Sequence, residues 1–183
     1  MIYLIEGARN SGKTFISSLF SMNDYKFPFT QWFGDLKYED SSTNVHDFAV
    51  GKEIMLLDLN KKGFIKEMIC DRGILTVFVW AVLSNRISES EASNQMSLCI
   101  KDGLLDDVKI LYVKGRNPNP TSRDKDFWDH RENEGDKERL LYGSFINMIK
   151  NSGRKIEIIE VENLFDQTVK AKVNEIKNVW NIN

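Results

Sequence analysis

One stretch of eight residues near the N-terminus constrains this chain more than any other. It is Gly7-Ala8-Arg9-Asn10-Ser11-Gly12-Lys13-Thr14, which fits the phosphate-binding pattern G-x-x-x-x-G-K-[ST] at each fixed position. A short apolar run of β type, Ile2 to Ile5, precedes it, and apolar residues recur at helical spacing from Phe15 to Phe20. Strand, loop and helix in this order are the context that the pattern requires, so the sequence predicts a phosphate-binding loop.

The residue types of this loop suit a nucleoside triphosphate. Its two glycines let the backbone curl closely and point N–H groups inward, at a helix N-terminus that also favours negative charge. Lys13 is expected to reach the β- and γ-phosphates, and the Thr14 hydroxyl to bind Mg²⁺. A turn that only links strand to helix would need no lysine followed by a hydroxyl. We therefore expect ATP and Mg²⁺ as cofactors, with these ATP-binding residues: Gly7, Asn10, Ser11, Gly12, Lys13 and Thr14.

Composition and charge argue against several classes of protein. The chain has 183 residues, which is most simply one domain over residues 1–183 with a proper core. Its net charge of −2 argues against binding long nucleic acid through bulk charge. Cys70 and Cys99 lie far apart and match neither a metal site nor a disulfide framework. The sequence has no basic leader and no 18-residue apolar window, so we expect a cytoplasmic protein without a membrane partner.

Apolar runs that alternate with helical patterns indicate an α/β fold. Strands are expected near residues 2, 26, 68, 109 and 156, with residues 23–25 as a turn before a strand over residues 26–33. They predict a three-layer P-loop NTPase fold, in which helices flank a mainly parallel five-stranded sheet and ligands bind at the carboxyl ends of the strands. A capping box at Ser88 and Glu91 predicts one later helix, and residues 138–150 another. Asn163 is expected to cap the last helix.

Two apolar segments are ambiguous between helix and strand. Residues 48–60 contain an apolar run that ends in Asp58, although the spacing also permits a helix. A second such run ends in Asp71, and we prefer it as the strand beside the metal because Arg72 and a glycine follow it. Residues 75–83 are rich in valine and aromatic residues, so local propensity favours a strand that periodicity cannot separate from a buried helix.

At two places the sequence resembles thymidylate kinases and related deoxynucleotide kinases. Ile5-Glu6-Gly7 is similar to the start of their E-G-x-D-x-x-G-K-[ST] motif, and Asp71-Arg72-Gly73-Ile74-Leu75-Thr76 is similar to their D-R-[YF]-x-x-S motif. The resemblance implies that Asp71 and Arg72 face the acceptor nucleotide and the metal. It also implies that the two ambiguous segments are helices.

The chain departs from that family mainly on the acceptor side. Arg9 stands where the family has aspartate, Asn10 where some members carry an arginine, and Gly73 where they have an aromatic residue. The second strand, where the family often has a T-R-E-P-like acceptor motif, contains only Thr30-Gln31-Trp32-Phe33. Phosphoryl transfer is therefore better supported than the identity of the base.

A basic segment, residues 114–132, follows the fourth predicted strand. In phosphotransferases a segment of this kind closes over the phosphates, excludes water and stabilises the transferring group through its arginines. The alternative is an ordinary solvated loop. We expect Arg123 to be the catalytic lid arginine, with Arg116 as the second candidate and Arg131 as the third. In related kinases the turn after the last strand touches adenine, which makes Glu162 and Asn163 candidates for that contact.

These observations predict an ATP- and Mg²⁺-dependent phosphotransferase with a small-molecule nucleotide as substrate. The first hypothesis is transfer of the γ-phosphoryl group to a (deoxy)nucleoside monophosphate such as a thymidine nucleotide. The catalytic residues would be Lys13, Asp71, Arg123 and Arg116; Asp71 and Arg72 would bind the acceptor, and Thr14 and Asp71 the metal. A second hypothesis makes the acceptor a nucleoside, a polynucleotide end or a modified base in DNA, because Phe127 and Trp128 accompany the arginines. A third is a regulatory protein that binds nucleotide without turnover. A homodimer is left open.

Overall fold

The structure, a computed structural model, describes residues 1–9, 11–20, 24–25, 43–115, 132–162 and 168–182. Five strands form one sheet: β1 (Ile2–Gly7), β2 (Asp24–Tyr25), β3 (Met68–Asp71), β4 (Val108–Val113) and β5 (Glu157–Val161). Within the described ranges six helices accompany them: α1 (Lys13–Leu19), α2 (Thr43–Lys61), α3 (Ile74–Leu83), α4 (Glu89–Lys101), α5 (Glu132–Lys150) and α6 (Val169–Trp180).

The sheet has the order β2-β3-β1-β4-β5, and every pairing in it is parallel. The central strand β1 pairs with β3 on one side, where Ile5 is opposite Asp71, and with β4 on the other, where Gly7 is opposite Val113. Since parallel strands end at the same edge of a sheet, the loop after β1 and the Asp71-Arg72 turn after β3 lie side by side. The predicted fold class is confirmed.

Alternate residues of β1 serve the two faces of the sheet. Ile2 and Leu4 join the core formed with α2, α3, α4 and α5, whereas Tyr3 and Ile5 join the core formed with α1 and α6. Both faces are covered, which explains why β1 is apolar at nearly every position and shows no alternation. Glu6 follows Ile2 and Leu4 in this alternation, so its side chain lies on the face of the sheet that α2 and α3 cover.

Both ambiguous segments are helical, as the resemblance implies. Helix α2 includes residues 48–60, and α3 includes residues 75–83, in which Val77, Phe78 and Val79 are buried. Strand propensity gives the wrong prediction for α3. The preference of valine and aromatic residues for strands largely reflects the packing of their side chains in a buried site, and a helix enclosed by the core buries them equally well. The capping box of α4 is present, with the Glu91 amide donating to Ser88 Oγ at 3.2 Å.

Other boundaries differ from the sequence prediction. Residues 24–25 were expected in a turn and instead form β2, which pairs with Ile69 and Cys70. The predicted strand over residues 26–33 lies outside the described residues. Helix α5 begins at Glu132, six residues before the expected start. Thr168, rather than Asn163, precedes α6. No helix in the described ranges is long and apolar enough to cross a membrane.

Candidate functional site

Two glycines shape the phosphate-binding loop between β1 and α1. Gly7 has φ 147°, and a Cβ at this position would lie 2.3 Å from the Val113 carbonyl oxygen, so only glycine fits the close approach to β4. Gly12 has φ 82° and is the N-cap of α1, and none of the described side chains caps this helix. The first amide groups of α1 therefore lack a capping side chain among the described residues, which is the arrangement that suits an anion.

Lys13 is buried inside its own loop. Its Nζ donates to the Ala8 carbonyl oxygen at 2.5 Å and to Ser11 Oγ at 3.1 Å. Burial lowers the pKa of its ammonium group to about 7, and the positive charge of Arg72 adds to this effect. Three nearby carboxylates oppose it: Glu138, Asp71 and Glu6. The loop therefore holds a cation that a polyphosphate would stabilise in its charged form.

Thr14 and Asp71 meet across the two neighbouring strand ends. Thr14 Oγ1 donates to Asp71 Oδ2 at 2.5 Å. Asp71 Oδ1 is buried and has no hydrogen-bond partner among the described residues. A hydroxyl and a carboxylate are hard oxygen ligands, and Mg²⁺ is commonly held by one or two carboxylates together with phosphate oxygens and water. The pair fits the predicted Mg²⁺ site, and no cluster of three or more acidic, His or Cys ligands exists in the described ranges.

Arg72 follows Asp71 in a backbone conformation that is unusual for a residue with a side chain. Its φ is 85°, and its N–H donates to the Ile5 carbonyl oxygen at 3.0 Å, which continues the pairing of β1 with β3. Nη1 of its guanidinium group is buried without a hydrogen-bond partner in the described part of the chain. Strained backbone of this kind is concentrated at binding sites. The structure thus brings the predicted acceptor residues Asp71 and Arg72 next to Lys13 and Thr14.

A buried hydrogen-bond chain lies below the loop. Glu6 is fully buried at the end of β1, and its Oε2 accepts from Thr76 Oγ1 at 2.5 Å. Thr76 Oγ1 is in turn 2.7 Å from the Tyr142 hydroxyl on α5. Burial raises the pKa of Glu6 to about 7, although Thr76, Lys13 and Arg72 each lower it. These hydrogen bonds connect α5 and α3 to the strand that carries the phosphate-binding loop.

Arg9 provides a second connection between the loop and α5. Its backbone N–H donates to Glu138 Oε1 at 3.2 Å, and its Nε lies 3.8 Å from Glu138 Oε2. The guanidinium carbon lies 3.8 Å from the centre of the Trp80 ring, which is a cation–π contact with α3. Arg9 occupies the position of an aspartate in the family motif, and here it fastens the loop to α3 and α5.

Glu53 is a buried carboxyl group on α2 that faces this same region. It is 1% exposed, and within the described ranges neither Oε1 nor Oε2 has a hydrogen-bond partner. Burial raises the pKa of Glu53 to about 8, and the charge of Glu6 contributes to the shift. Burial also raises the pKa of the Cys70 thiol, with Glu53, Glu6 and Asp71 as further causes. Glu53 thus belongs to a group of carboxyls around the end of β3.

Sequence reasoning did not assign a role to Glu53 or Glu138. A signal for Glu53 exists in the sequence, since it lies four residues from Ala49 and from Leu57 on the inner side of a predicted helix, where a carboxylate is unusual. Glu138 gives no such signal, because its partner Arg9 is 129 residues away.

Some predicted site residues fall outside the described residues: Asn10, Arg116, Arg123, Arg131 and Asn163. Their roles remain predictions, as does the lid over residues 114–132. Lys114 is described, and it forms ion pairs with Glu160 and, at 3.5 Å, with Glu162. Glu162 is exposed, and its contact with adenine is also still a prediction.

Comparison with known proteins bears on the fold. No protein-family model matches the chain, and no curated protein matches it by sequence. A solved structure of deoxyadenosine kinase from M. mycoides, with products dCMP and a flexible dCDP bound, matches with a TM-score of 0.64 at 17% identity over 99% of each chain. The same enzyme with dATP bound gives 0.57 at 17% identity, over 99% of this chain and 100% of that one. The same enzyme with dCTP bound gives a TM-score of 0.56 at 16% identity, over 99% of both chains.

The chain therefore has the fold of this deoxyadenosine kinase along nearly its whole length. These three structures are of a deoxyadenosine kinase rather than of the thymidylate kinases that the two sequence motifs resemble.

Proposed function

We propose that this protein is an ATP- and Mg²⁺-dependent kinase that phosphorylates the 5′-hydroxyl of a deoxynucleoside. The observation that carries the proposal is the contact of Thr14 with Asp71, which joins a phosphate-binding loop to the end of the adjacent strand at 2.5 Å. The likeness in fold to a deoxyadenosine kinase over 99% of both chains supports a nucleoside as the acceptor.

On the donor side, the loop amides and Lys13 would bind the ATP phosphates. Lys13 would exchange its contacts with Ala8 and Ser11 for the β- and γ-phosphates. Thr14 and Asp71 would hold Mg²⁺, which neutralises charge on the β- and γ-phosphates when it is bound. Arg9 would keep the loop in place through Glu138. Arg123 and Arg116 remain the proposed lid arginines.

On the acceptor side, Asp71 and Arg72 would position the 5′-hydroxyl in line with the γ-phosphorus. A bond forms between O5′ and the γ-phosphorus while the bond from that phosphorus to the β–γ bridging oxygen breaks. The products are a deoxynucleoside 5′-monophosphate and ADP, and the hydroxyl proton is lost to water. The chain's contribution is positioning and electrostatic stabilisation, so no dedicated general base is required.

A screen of acceptors tests the proposal. The purified protein is incubated with MgATP and each deoxynucleoside or deoxynucleoside monophosphate in turn, and ADP and phosphorylated product are measured. We expect product with at least one deoxynucleoside and a loss of at least about 100-fold in kcat/KM for Lys13→Ala. Failure of every deoxynucleoside to give product would contradict the proposal, and failure of every monophosphate as well would exclude both candidate acceptors.

A deoxynucleoside monophosphate is the second candidate acceptor. The guanidinium group of Arg72, whose buried Nη1 has no partner among the described residues, suits a phosphate ligand. The same screen separates the two candidates, because the product would then be a diphosphate. The thymidylate kinase motifs favour this candidate, whereas the similar fold favours the nucleoside.

A further inference from the structure

The inner side of α2 carries polar residues at every seventh position. His46, Glu53 and Asn60 are each at most 5% exposed. Asn60 Nδ2 donates to the Asp107 carbonyl oxygen at 2.8 Å, and the His46 ring lies 6.4 Å from that of Phe78. Glu53 has no comparable contact, because neither of its oxygens has a partner in the part of the chain that is described. A buried carboxyl without a partner is costly, and in a binding cleft it indicates a ligand.

The position of Glu53 along the helix places it at the level of the strand ends. Asn60 contacts Asp107 just before β4, so α2 has its C-terminal end at the amino ends of the strands. Glu53 is seven residues nearer the carboxyl ends, which is about 10 Å along a helix. In the sheet, Met68 of β3 and Val108 of β4 are both opposite Ile2 of β1. Asp107 is one residue before this level and Cys70 is two residues after it, so the two are three residues apart along the strand direction, which is also about 10 Å. Glu53 thus lies level with Cys70, directly before the Asp71-Arg72 turn.

The unpaired atoms of this group are mostly hydrogen-bond acceptors. Besides both oxygens of Glu53, Glu6 Oε1 and Asp71 Oδ1 are buried without a partner in the described ranges. A proton on one of these acids would turn only one of the oxygens into a donor. A complementary ligand therefore needs several N–H groups close together. Adenine, cytosine and guanine carry an exocyclic amine with two hydrogens, whereas thymine and uracil have carbonyl oxygens instead.

We propose that Glu53 is a specificity-determining residue that selects an acceptor whose base carries an exocyclic amine. This inference rests on the proposed kinase function. The amine donates to the carboxyl group of Glu53, whose two oxygens are otherwise without a partner in the described residues. A carbonyl oxygen at the same place can accept only the one hydrogen bond that a protonated Glu53 donates, and it leaves the other carboxyl oxygen unpaired. Thymidine, whose monophosphate is the acceptor that the motif resemblance suggests, is then a poor substrate.

Deoxycytidine and deoxyuridine test the inference most directly, because they differ at the amine. The wild-type protein is expected to have a kcat/KM for deoxycytidine at least about 100-fold above that for deoxyuridine. In Glu53→Met this ratio is expected to fall below about 10, mainly through a higher KM for deoxycytidine. Glu53→Gln keeps the shape and one acceptor oxygen, so it is expected to give an intermediate ratio. Asp58→Asn, an exposed carboxyl on the same helix paired with Lys62, is the control and should leave the ratio unchanged.

Two results overturn the inference while the kinase function stands. One is a wild-type ratio near one, and the other is a ratio that Glu53→Met leaves unchanged. The ratio of kcat/KM for deoxycytidine to that for deoxyuridine is measured on the wild-type protein alone. The inference can therefore be tested even if Glu53→Met does not fold. If no acceptor is phosphorylated, calorimetric binding of deoxycytidine and deoxyuridine decides instead. Equal affinity for the two, or binding of neither, contradicts the role of Glu53.

Discussion

Several single residues of the candidate site are held in states that are unfavourable without a ligand. Lys13 is a buried cation whose pKa is lowered to about 7. Arg72 has a positive φ, and Glu53 is a buried acid without a partner in the described residues. Such costs are common where a site is organised before its ligand arrives. Each of them can be measured separately.

Binding of ATP is expected to be coupled to uptake of a proton by Lys13. Because its pKa is about 7 in the free protein, most of the Lys13 population is neutral at pH 8. Phosphates favour the charged form, so binding at pH 8 should take up close to one proton. Calorimetry in buffers of different ionisation enthalpy measures this number. Lys13→Arg is the control, since arginine stays charged and removes the uptake. Equal proton uptake by the two proteins would contradict the expectation.

Replacing Arg72 separates backbone strain from side-chain function. Arg72→Ala and Arg72→Gly both remove the guanidinium group, but only glycine adopts φ 85° without strain. We expect Arg72→Gly to be more stable than Arg72→Ala by about 1 kcal/mol in urea unfolding. Both variants should lose phosphoryl transfer to a similar extent. Equal stability would show that the conformation is not strained, and unequal loss of activity would show that the backbone matters to the reaction.

At the level of elements, helix α5 is connected to the phosphate-binding loop at two points. Glu138 accepts from the Arg9 amide, and Tyr142 continues the chain through Thr76 to Glu6. The loop is therefore supported by side chains from a distant helix as well as by its own glycines.

Glu138→Ala is expected to weaken ATP binding. Without the carboxylate, the Arg9 amide and guanidinium lose their partner on α5, and the loop loses its attachment there. We expect the Kd of an unhydrolysable ATP analogue to rise about tenfold. Asp136→Ala, which removes an exposed carboxylate paired with Arg139 on the same helix, is the matched control. A Kd that changes equally in both variants would exclude a specific role for Glu138.

Local patterns predicted most elements but not the polar contacts between them. The capping box at Ser88 depends on four neighbouring residues, so the sequence alone predicts the start of α4. Residues 75–83 required the family resemblance, because a fully buried helix and a fully buried strand have the same composition. The contact of Arg9 with Glu138 depends on how β1 and α5 pack, and no local pattern encodes it.

At the scale of the whole molecule, the side-by-side placement of the phosphate-binding loop and the Asp71-Arg72 turn was predicted, whereas the placement of Glu53 was not. Lys13, Thr14 and Asp71 belong to motifs whose geometry is fixed by a strand, a loop and an adjacent strand. Glu53 belongs to no motif, and only the packing of α2 onto the sheet brings it beside Glu6. The proposed recognition of the acceptor by Glu53 therefore depends on tertiary structure, which differs among proteins that share the phosphate-binding motif.

The stability of the protein should decrease as the pH rises from about 4.5 to 8 because of Glu53. Its pKa is raised from 4.5 to about 8 on folding, so the folded state binds more protons in this window and the unfolded state gains from ionisation. Glu53→Met should flatten the decrease and raise the free energy of unfolding at pH 8 by about 2 kcal/mol. Urea unfolding between pH 5 and 8 measures both effects. Asp58→Asn, with an exposed side chain, should leave the slope unchanged. A slope that is the same in Glu53→Met and the wild type would contradict this assignment.

The order of strands in the sheet has a consequence for synthesis on the ribosome. Strand β1 is made first, but its partners β3 and β4 follow more than 60 and more than 100 residues later. Gly7 packs against the Val113 carbonyl, so the loop cannot reach its final shape before β4 has emerged. Parallel pairings across such distances form slowly. The nascent chain carries residues 7–14 without their final fold through much of translation, so the proposed ATP site forms late.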